Sequence, residues 1–342
     1  MKTTTFRTFI QTGMSESLSK KGNRLAIVVP CYNEEEMLEK TISVLSGVLR
    51  DLSGKGLVSE DSFLLFVNDG SKDKTCEILK EKAEKEPHVC MISLSRNRGH
   101  QNALMAGLST ACGISDMTVS IDADLQDDVL VIGNMVEEYL KGADIVYGVR
   151  SGRKTDSFFK RTTAQGYYRF LNSLGVKTVY NHADFRLMSR RAVAELLRYR
   201  EKNLYIRGLI PELGFKTAEV RYERKAREAG ESKYPLSKMA ALALNGITSQ
   251  STKPLRIISF IGLMVMLICI AAAVYALISY FTGNVESGWT SLILSIWFLG
   301  GVQLLCLGVI GEYIGKVYSE VKDRPLYCIE EKILKGAGVS DV

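Results

Sequence analysis

The sequence is poor in the groups on which several common chemistries depend. Its seven cysteines, Cys31, Cys76, Cys90, Cys112, Cys269, Cys306 and Cys328, include no Cys-x-x-Cys pair. An odd, unpatterned set fits a reducing compartment, leaves no structural zinc and excludes a disulfide scaffold. The three histidines, His88, His100 and His182, show no metal-ligand spacing; His88 reads as a loop residue and His100 as a helix start. Neither Gly-x-Gly-x-x-Gly nor Gly-x-x-x-x-Gly-Lys-Ser/Thr occurs, so dinucleotide-fingerprint and P-loop binding lose their signature. Residues 1–22 are polar, rich in Thr and Ser, and lack an apolar signal-peptide core, so they read as a flexible leader. Neither sign of charge dominates: 44 Lys and Arg against 38 Asp and Glu give +6, too mild for a nucleic-acid footprint.

What is present is unevenly distributed. A mean hydropathy of +0.04 over 342 residues suits a soluble enzyme. Yet Ile257–Phe281 and Ser287–Gly311 carry no charge, and each run of about 25 residues is long enough to span a bilayer. Lys253 and Arg256 precede the pair, Lys316, Lys322 and Arg324 follow it, and the connecting loop has no cation. The positive-inside rule then puts both termini in the cytoplasm, with Trp289 near one interface. Lys216, Arg221, Arg224, Lys225, Arg227, Lys233 and Lys238, diluted by glutamates, face an anionic lipid surface in this reading. The expected boundaries are a leader at 1–22, a catalytic domain at 23–235 and an amphipathic juxtamembrane segment at 236–255. Transmembrane helices at 256–282 and 287–312 and a cytoplasmic tail at 313–342 complete them.

Ahead of these spans, strands alternate with helices, which means βαβ units and a mostly parallel sheet. Strands are expected at 25–30, 63–67, 89–94, 117–121 and 145–147, and helices at 34–50, 75–85, 100–112 and 129–141. A short strand at 185–188, a helix at 190–199 and a strand at 217–222 follow. Residues 151–160 read as a loop, 161–173 as a helix and 224–233 as a mobile stretch.

Ligands of open parallel sheets bind beyond the carboxyl ends of the strands. Here those ends are polar: Pro30-Cys31-Tyr32-Asn33-Glu34, Asn68-Asp69-Gly70-Ser71, Ser95-Arg96-Asn97 and Asp122-Ala123-Asp124-Leu125-Gln126-Asp127. Any one of them makes an ordinary turn; four on one edge describe a site. In Asp122-x-Asp124, alternation puts both carboxylates on one side, where they repel unless a cation intervenes. Hard oxygen ligands favour Mg²⁺ or Mn²⁺, which completes its shell with substrate phosphates, and Gln126 continues the alternation. Arg150, Arg153, Lys160 and Arg161 follow the fifth strand and suit an anionic acceptor, and Lys233 lies beside the membrane.

These segments, with His182-Ala183-Asp184-Phe185-Arg186, resemble family 2 glycosyltransferases. Gly230-Glu231-Ser232-Lys233-Tyr234, Pro254-Leu255-Arg256 and Gly311-Glu312-Tyr313-Ile314-Gly315 sharpen the resemblance to the polyprenyl-phosphate branch, the bactoprenol glucosyltransferases related to dolichol-phosphate mannose synthase. The resemblance covers about residues 24–328, with one departure, Asp128, where the family usually has proline. It implies an α/β GT-A domain, Rossmann-like with a mostly parallel sheet, on two C-terminal transmembrane helices. It also implies inverting transfer of one sugar from a nucleotide-sugar, UDP-glucose or UDP-N-acetylglucosamine, to undecaprenyl phosphate at the inner membrane. The donor would meet Pro30, Tyr32, Asn33, Glu34, Asp69, Ser71, Arg96 and Asp122, and the metal Asp124 and Gln126. Arg150, Arg153, Lys160, Arg161 and Lys233 would take the lipid phosphate. Asp184 occupies the position usually assigned as catalytic base, beside Arg186. A lipid phosphate, with a second pKa near ~6, needs little deprotonation, so Asp184 would orient the acceptor as much as take a proton. A homotetramer is implied, and the absence of Gln-x-x-Arg-Trp argues against processive polymerisation. A nucleotidyl- or phosphotransferase on the same metal site and a non-catalytic membrane scaffold are the alternative readings.

Overall fold

In the computed structural model, residues 22–150, 182–202, 204–223, 253–282 and 288–337 are described. Their core is one eight-stranded mixed sheet in the order β7-β5-β6-β4-β1-β2-β3-β8. Its strands are β1 (Leu25–Cys31), β2 (Phe63–Asn68), β3 (Val89–Leu94), β4 (Met117–Ser120), β5 (Ile145–Arg150), β6 (His182–Ser189), β7 (Thr217–Tyr222) and β8 (Ile329–Ile333). Between them lie α1 (Leu38–Gly54), α2 (Thr75–Lys85), α3 (His100–Cys112), α4 (Val131–Leu140), α5 (Arg190–Leu196) and α6 (Ile206–Glu212).

The central strands β1, β2 and β3 are near-continuous apolar runs, buried along their whole length, because helices cover both faces. In β1, side-chain alternation sends Leu25, Ile27 and Val29 to a core shared with α1, α2 and α4. Ala26 and Val28 go to the opposite core, shared with α3, α5 and α6. The stripe Leu38, Ile42, Leu45, Leu49 and Leu52 turns one face of α1 onto the sheet. Helix α3 comes closer still: a Cβ on Gly107 would lie 2.4 Å from Val28 Cγ1, so only glycine allows that contact.

Strands β1, β2, β3 and β4 run parallel, so the ends of β1, β2 and β4 share one edge. Strand β6 is inserted antiparallel between β4 and β5, pairing Ser120 with Arg186. That reversal brings the start of β6, and Asp184 with it, to the edge where the other strands end.

Several boundaries differ from expectation for physical reasons. Helix α1 starts at Leu38 because Glu34–Met37 form a separate turn, Met37 N–H donating to Glu34 O. Helix α4 starts at Val131 because Asp128 builds a turn ahead of it: its carboxylate accepts from Leu130 N–H and its carbonyl from Val131 N–H. Asp128, the departure from the usual proline, thus supplies the turn itself. Strand β5 runs on to Arg150 because β7 pairs with it in parallel as far as Tyr222. Helix α6 escapes sequence reading because it is short and contains Gly208 and Pro211.

Two further helices, α7 (Lys253–Phe281) and α8 (Trp289–Val321), are long and apolar enough to cross a membrane. Their spans Leu255–Ala272 and Phe298–Val321 have mean hydropathies of 2.5 and 1.5 and bury none of their residues within the protein. Helix α8 outruns its expected end at 312. It stops where Asp323 adopts a left-handed backbone, φ 41°. The segment expected as a plain tail then returns to the sheet: β8 pairs antiparallel with β3, Ser95 N–H donates to Cys328 O at 3.0 Å, and Lys80 meets Glu331 at 2.7 Å. The end of α8 is also held from the globular domain. Lys202 donates its N–H to Glu320 at 2.7 Å and its ammonium to Asp323 at 2.8 Å.

Candidate active site

The loops after β1 and β2 are stitched to one another. Asn33 N–H donates to Ser71 Oγ, Lys72 N–H to Asn33 Oδ1, Ser71 N–H to Asn68 Oδ1 and Glu34 N–H to Thr75 Oγ1. Asn33 sits at φ 54°, a left-handed conformation that asparagine tolerates better than most residues. Gly70, at φ 63°, passes so close to the next loop that a Cβ would lie 2.5 Å from the Arg96 carbonyl carbon and the Asn97 nitrogen. Asp69 is buried beneath that crossing. Its two oxygens accept from Arg98 N–H at 2.7 Å and Gly99 N–H at 2.8 Å. Burial pushes its carboxyl up, against those two bonds and the charges of His100 and Arg98.

Of the residues expected at the donor, Tyr32, Asn33 and Arg96 are exposed, and Glu34 and Ser71 are half-buried around this crossing. Pro30 does not join them: it is buried inside β1, in register with Val67. Asp69 takes part through the loop it holds.

The segment after β4 is anchored from α1, where Thr41 Oγ1 donates to Ala123 O at 2.7 Å. Leu125 is left-handed at φ 51°, an uncommon conformation for a branched apolar residue, and it packs against the core. That turn separates Asp124, whose Oδ1 accepts from Gln126 N–H, from the buried Gln126 and Asp127. Asp127 is already committed: Tyr222 donates to its Oδ1 at 2.7 Å and Arg150 at 3.1 Å. Arg150 therefore reaches the site with its charge matched by a buried carboxylate. The other cations expected at the lipid phosphate, Arg153, Lys160, Arg161 and Lys233, lie outside the described residues.

Asp184 is the most heavily partnered carboxylate of the site. Arg186, the largest fully buried side chain at 1% exposure, donates through Nη2 to its Oδ1 at 2.5 Å. Arg207, on α6, donates through Nε to Oδ1 at 3.0 Å and through Nη2 to Oδ2 at 2.8 Å. His100 Nε2 stands 3.7 Å from both Asp184 Oδ2 and Asp122 Oδ1 and bridges the two acids. Burial alone would raise the Asp184 carboxyl. The Arg207 hydrogen bond and the charges of Arg186, Arg207 and His100 outweigh burial and hold it well below the usual carboxylate range. Asp122 goes the other way: burial, reinforced by Asp184, Asp124 and Asp127 and offset by His100, pushes it up.

This charge pattern fits a divalent cation. Four carboxylates crowd one strand end, and the strain falls on Asp122. Among the described residues no three His, Cys, Asp or Glu side chains form a closed metal cage. An open set of hard oxygens, Asp124 and Gln126, suits an ion that keeps places for substrate oxygens.

Sequence reading missed Arg207. The available signal was a lone arginine inside the apolar run Leu204–Ile210, but no spacing rule links it to Asp184.

The comparisons with known proteins follow this geometry. The profile described as Glycosyl transferase family 2 matches residues 26–197, and that of the GtrB C-terminal hairpin matches residues 253–317. The chain is 52% identical over 306 residues to the uncharacterized glycosyltransferase YkoT of Bacillus subtilis, covering 90% of this chain and 91% of the other. The chain belongs to glycosyl transferase family 2. This family 2 enzyme is also 42% identical to the SfII prophage-derived bactoprenol glucosyl transferase of Shigella flexneri, over 90% of this chain and 98% of that one. Among solved structures, glucosyl-3-phosphoglycerate synthase from Mycobacterium tuberculosis, in complex with Mn²⁺, UDP-glucose and phosphoglyceric acid, superposes with a TM-score of 0.42. Its identity is 20%, and the match covers 66% of this chain and 78% of that one. By its family and its own mixed, mostly parallel sheet the glycosyltransferase has a GT-A-like α/β domain followed by two apolar helices, and membership of an enzyme family sets the scaffold reading aside.

Proposed function

We propose that the enzyme transfers one sugar from a UDP-sugar to undecaprenyl phosphate at the cytoplasmic face of the membrane, with inversion at the anomeric carbon. One observation carries this reading: Asp122, Asp124, Gln126 and Asp184 converge on one sheet edge in a chain whose apolar spans Leu255–Ala272 and Phe298–Val321 bury none of their residues within the protein. Relatives named bactoprenol glucosyl transferases support the lipid acceptor. An acceptor confined to the bilayer requires the site to be held at the membrane surface, and the two helices answer that requirement.

Tyr32, Asn33, Glu34, Ser71 and Arg96 surround the nucleotide, on a floor kept rigid by Asp69 and Gly70. Asp124 and Gln126 would hold Mg²⁺ or Mn²⁺, which supplies positive charge against the departing diphosphate. Asp122, whose carboxyl is the most strained of the group, faces the donor. Asp184 is a poor proton acceptor, because two guanidinium groups keep it anionic and occupied. The acceptor does not need one, since a phosphate with a second pKa near ~6 is largely a dianion at neutral pH. Asp184 instead fixes the local field and orients the attacking phosphate for direct displacement. In this reading both chain termini are cytoplasmic, Arg153, Lys160, Arg161 and Lys233 grip the lipid phosphate beside Arg150, whose own charge Asp127 already matches, and the enzyme is a homotetramer, which its mass in detergent would test.

The test offers membranes containing the full-length enzyme a panel of labelled UDP- and GDP-sugars with undecaprenyl phosphate and Mg²⁺. Label should pass into the lipid fraction from a UDP-sugar and stop when the metal is chelated. Absence of metal-dependent transfer from every donor would sink the reading.

A further inference from the structure

The two arginines on Asp184 do different jobs. Arg186 comes from the same strand, is fully buried, and touches a single carboxylate oxygen, Oδ1, spending its Nε on the Asp184 main-chain carbonyl at 3.2 Å. Its Nη1 has no partner among the described residues. Alone, it would neutralise Asp184 yet hold the carboxyl at Oδ1 only, leaving Oδ2 without a fixed partner against rotation about Cβ–Cγ. Arg207 closes that freedom. It comes from a separate element, is 45% exposed at the side chain, and meets both oxygens through two parallel N–H groups. A fork on a carboxylate fixes its plane as well as its charge.

The plane matters because Oδ2 is the oxygen that faces His100, and His100 is equally distant from Asp122. The orientation of the Asp184 carboxyl therefore sets where its Oδ2 stands relative to His100 and, across it, Asp122. The helix carrying Arg207 is itself located from α3, since Ile206 N–H donates to Gln101 Oε1 at 3.0 Å, one residue beyond His100. Both ends of the Arg207–Asp184–His100 arrangement thus refer to the start of α3.

We propose that Arg207 is the positioning residue of the transfer site: its bidentate fork locks the Asp184 carboxylate in the plane from which His100 and Asp122 are set. The proposal rests on the reading of Asp184 as part of the transfer site. Misalignment of a reacting group costs rate, even where substrate binding is untouched.

The test compares wild type, Arg207→Lys and Arg207→Gln, each as the full chain in membranes, with the donor that wild type uses and undecaprenyl phosphate. Arg207→Gln should lower kcat about 30-fold or more with the donor KM within about threefold. Arg207→Lys keeps the charge and loses the fork, so it should recover less than about a third of the wild-type kcat while melting at the wild-type temperature. Three results would overturn the proposal. One is wild-type kcat in Arg207→Gln. Another is a rise in the acceptor KM alone, which would make Arg207 a binding contact. The third is full rescue by lysine, which would make charge sufficient. Should wild type itself transfer nothing, the functional reading fails instead, so the two failures are distinguishable.

Discussion

On the side of the candidate site built by β1 and β2, loop meets loop through hydrogen bonds of Asn33, Ser71, Asn68 and Thr75 with backbone N–H groups. On the side built by β4, β6 and α6, the contacts are ion pairs: Asp184 with Arg186 and Arg207, Asp127 with Arg150. Neutral bonds to backbone set shape and are little affected by salt, and each contributes about 1 kcal/mol. Buried ion pairs set charge, and losing one partner leaves the other desolvated and alone. In the proposed function the first side is a fixed mould for the nucleotide, while the second is an electrostatic device matched to groups that carry and shed negative charge.

The largest effect that sharpens this contrast is expected at Asp124→Ala. Loss of the carboxylate proposed to hold the metal would remove several kcal/mol of charge stabilisation, so transfer should fall about 10³-fold or more, with normal insertion into membranes. Label transfer checks it; substantial retained activity would remove the metal from the charged side. Next comes Arg186→Leu, which leaves Asp184 buried with one arginine and should cost about 3–5 kcal/mol, seen as a lower melting temperature. Smaller is Gly70→Ala on the neutral side. A Cβ there strains a left-handed residue and presses on the Arg96–Asn97 backbone, so about 1–3 kcal/mol is expected, with weaker donor binding and nearly unchanged kcat. Were Gly70→Ala to abolish turnover while leaving donor affinity intact, the division of labour between the two sides would collapse.

Much of the sheet was legible because its signals are local. The apolar runs of β1 and β3 and the periodicity of α2 and α3 lie within one window of sequence, and their expected ranges agree with the structure to within a residue. The acids at the end of the fourth strand stood out in the same way, although β4 stops at Ser120 and Ala123 and Asp124 lie in a turn, not on the extended segment the alternation assumed. What stayed hidden depends on distance along the chain. Asp127 meets Tyr222 across 95 positions and Arg150 across 23, so no spacing rule marks Arg150 as already paired. Arg207 reaches Asp184 only because β6 runs backwards through the sheet. Strand β8, Ile329-Glu330-Glu331-Lys332-Ile333, lacks strict alternation and exists because the β3 edge was open to receive it.

The return of β8 has a mechanical result. Where α8 ends, the chain has no slack to spend: Lys202 grips its last turn, and a few residues later the backbone is bonded into the sheet that carries the candidate site. A domain hung from a supple linker would sample many heights above the lipid headgroups and meet its substrate by chance encounter. Fastened in this way, the domain works as a fixed-depth tool. With α8 crossing a bilayer as proposed, a longer or shorter α8 would shift the candidate site as a unit relative to the lipid surface rather than merely loosen it.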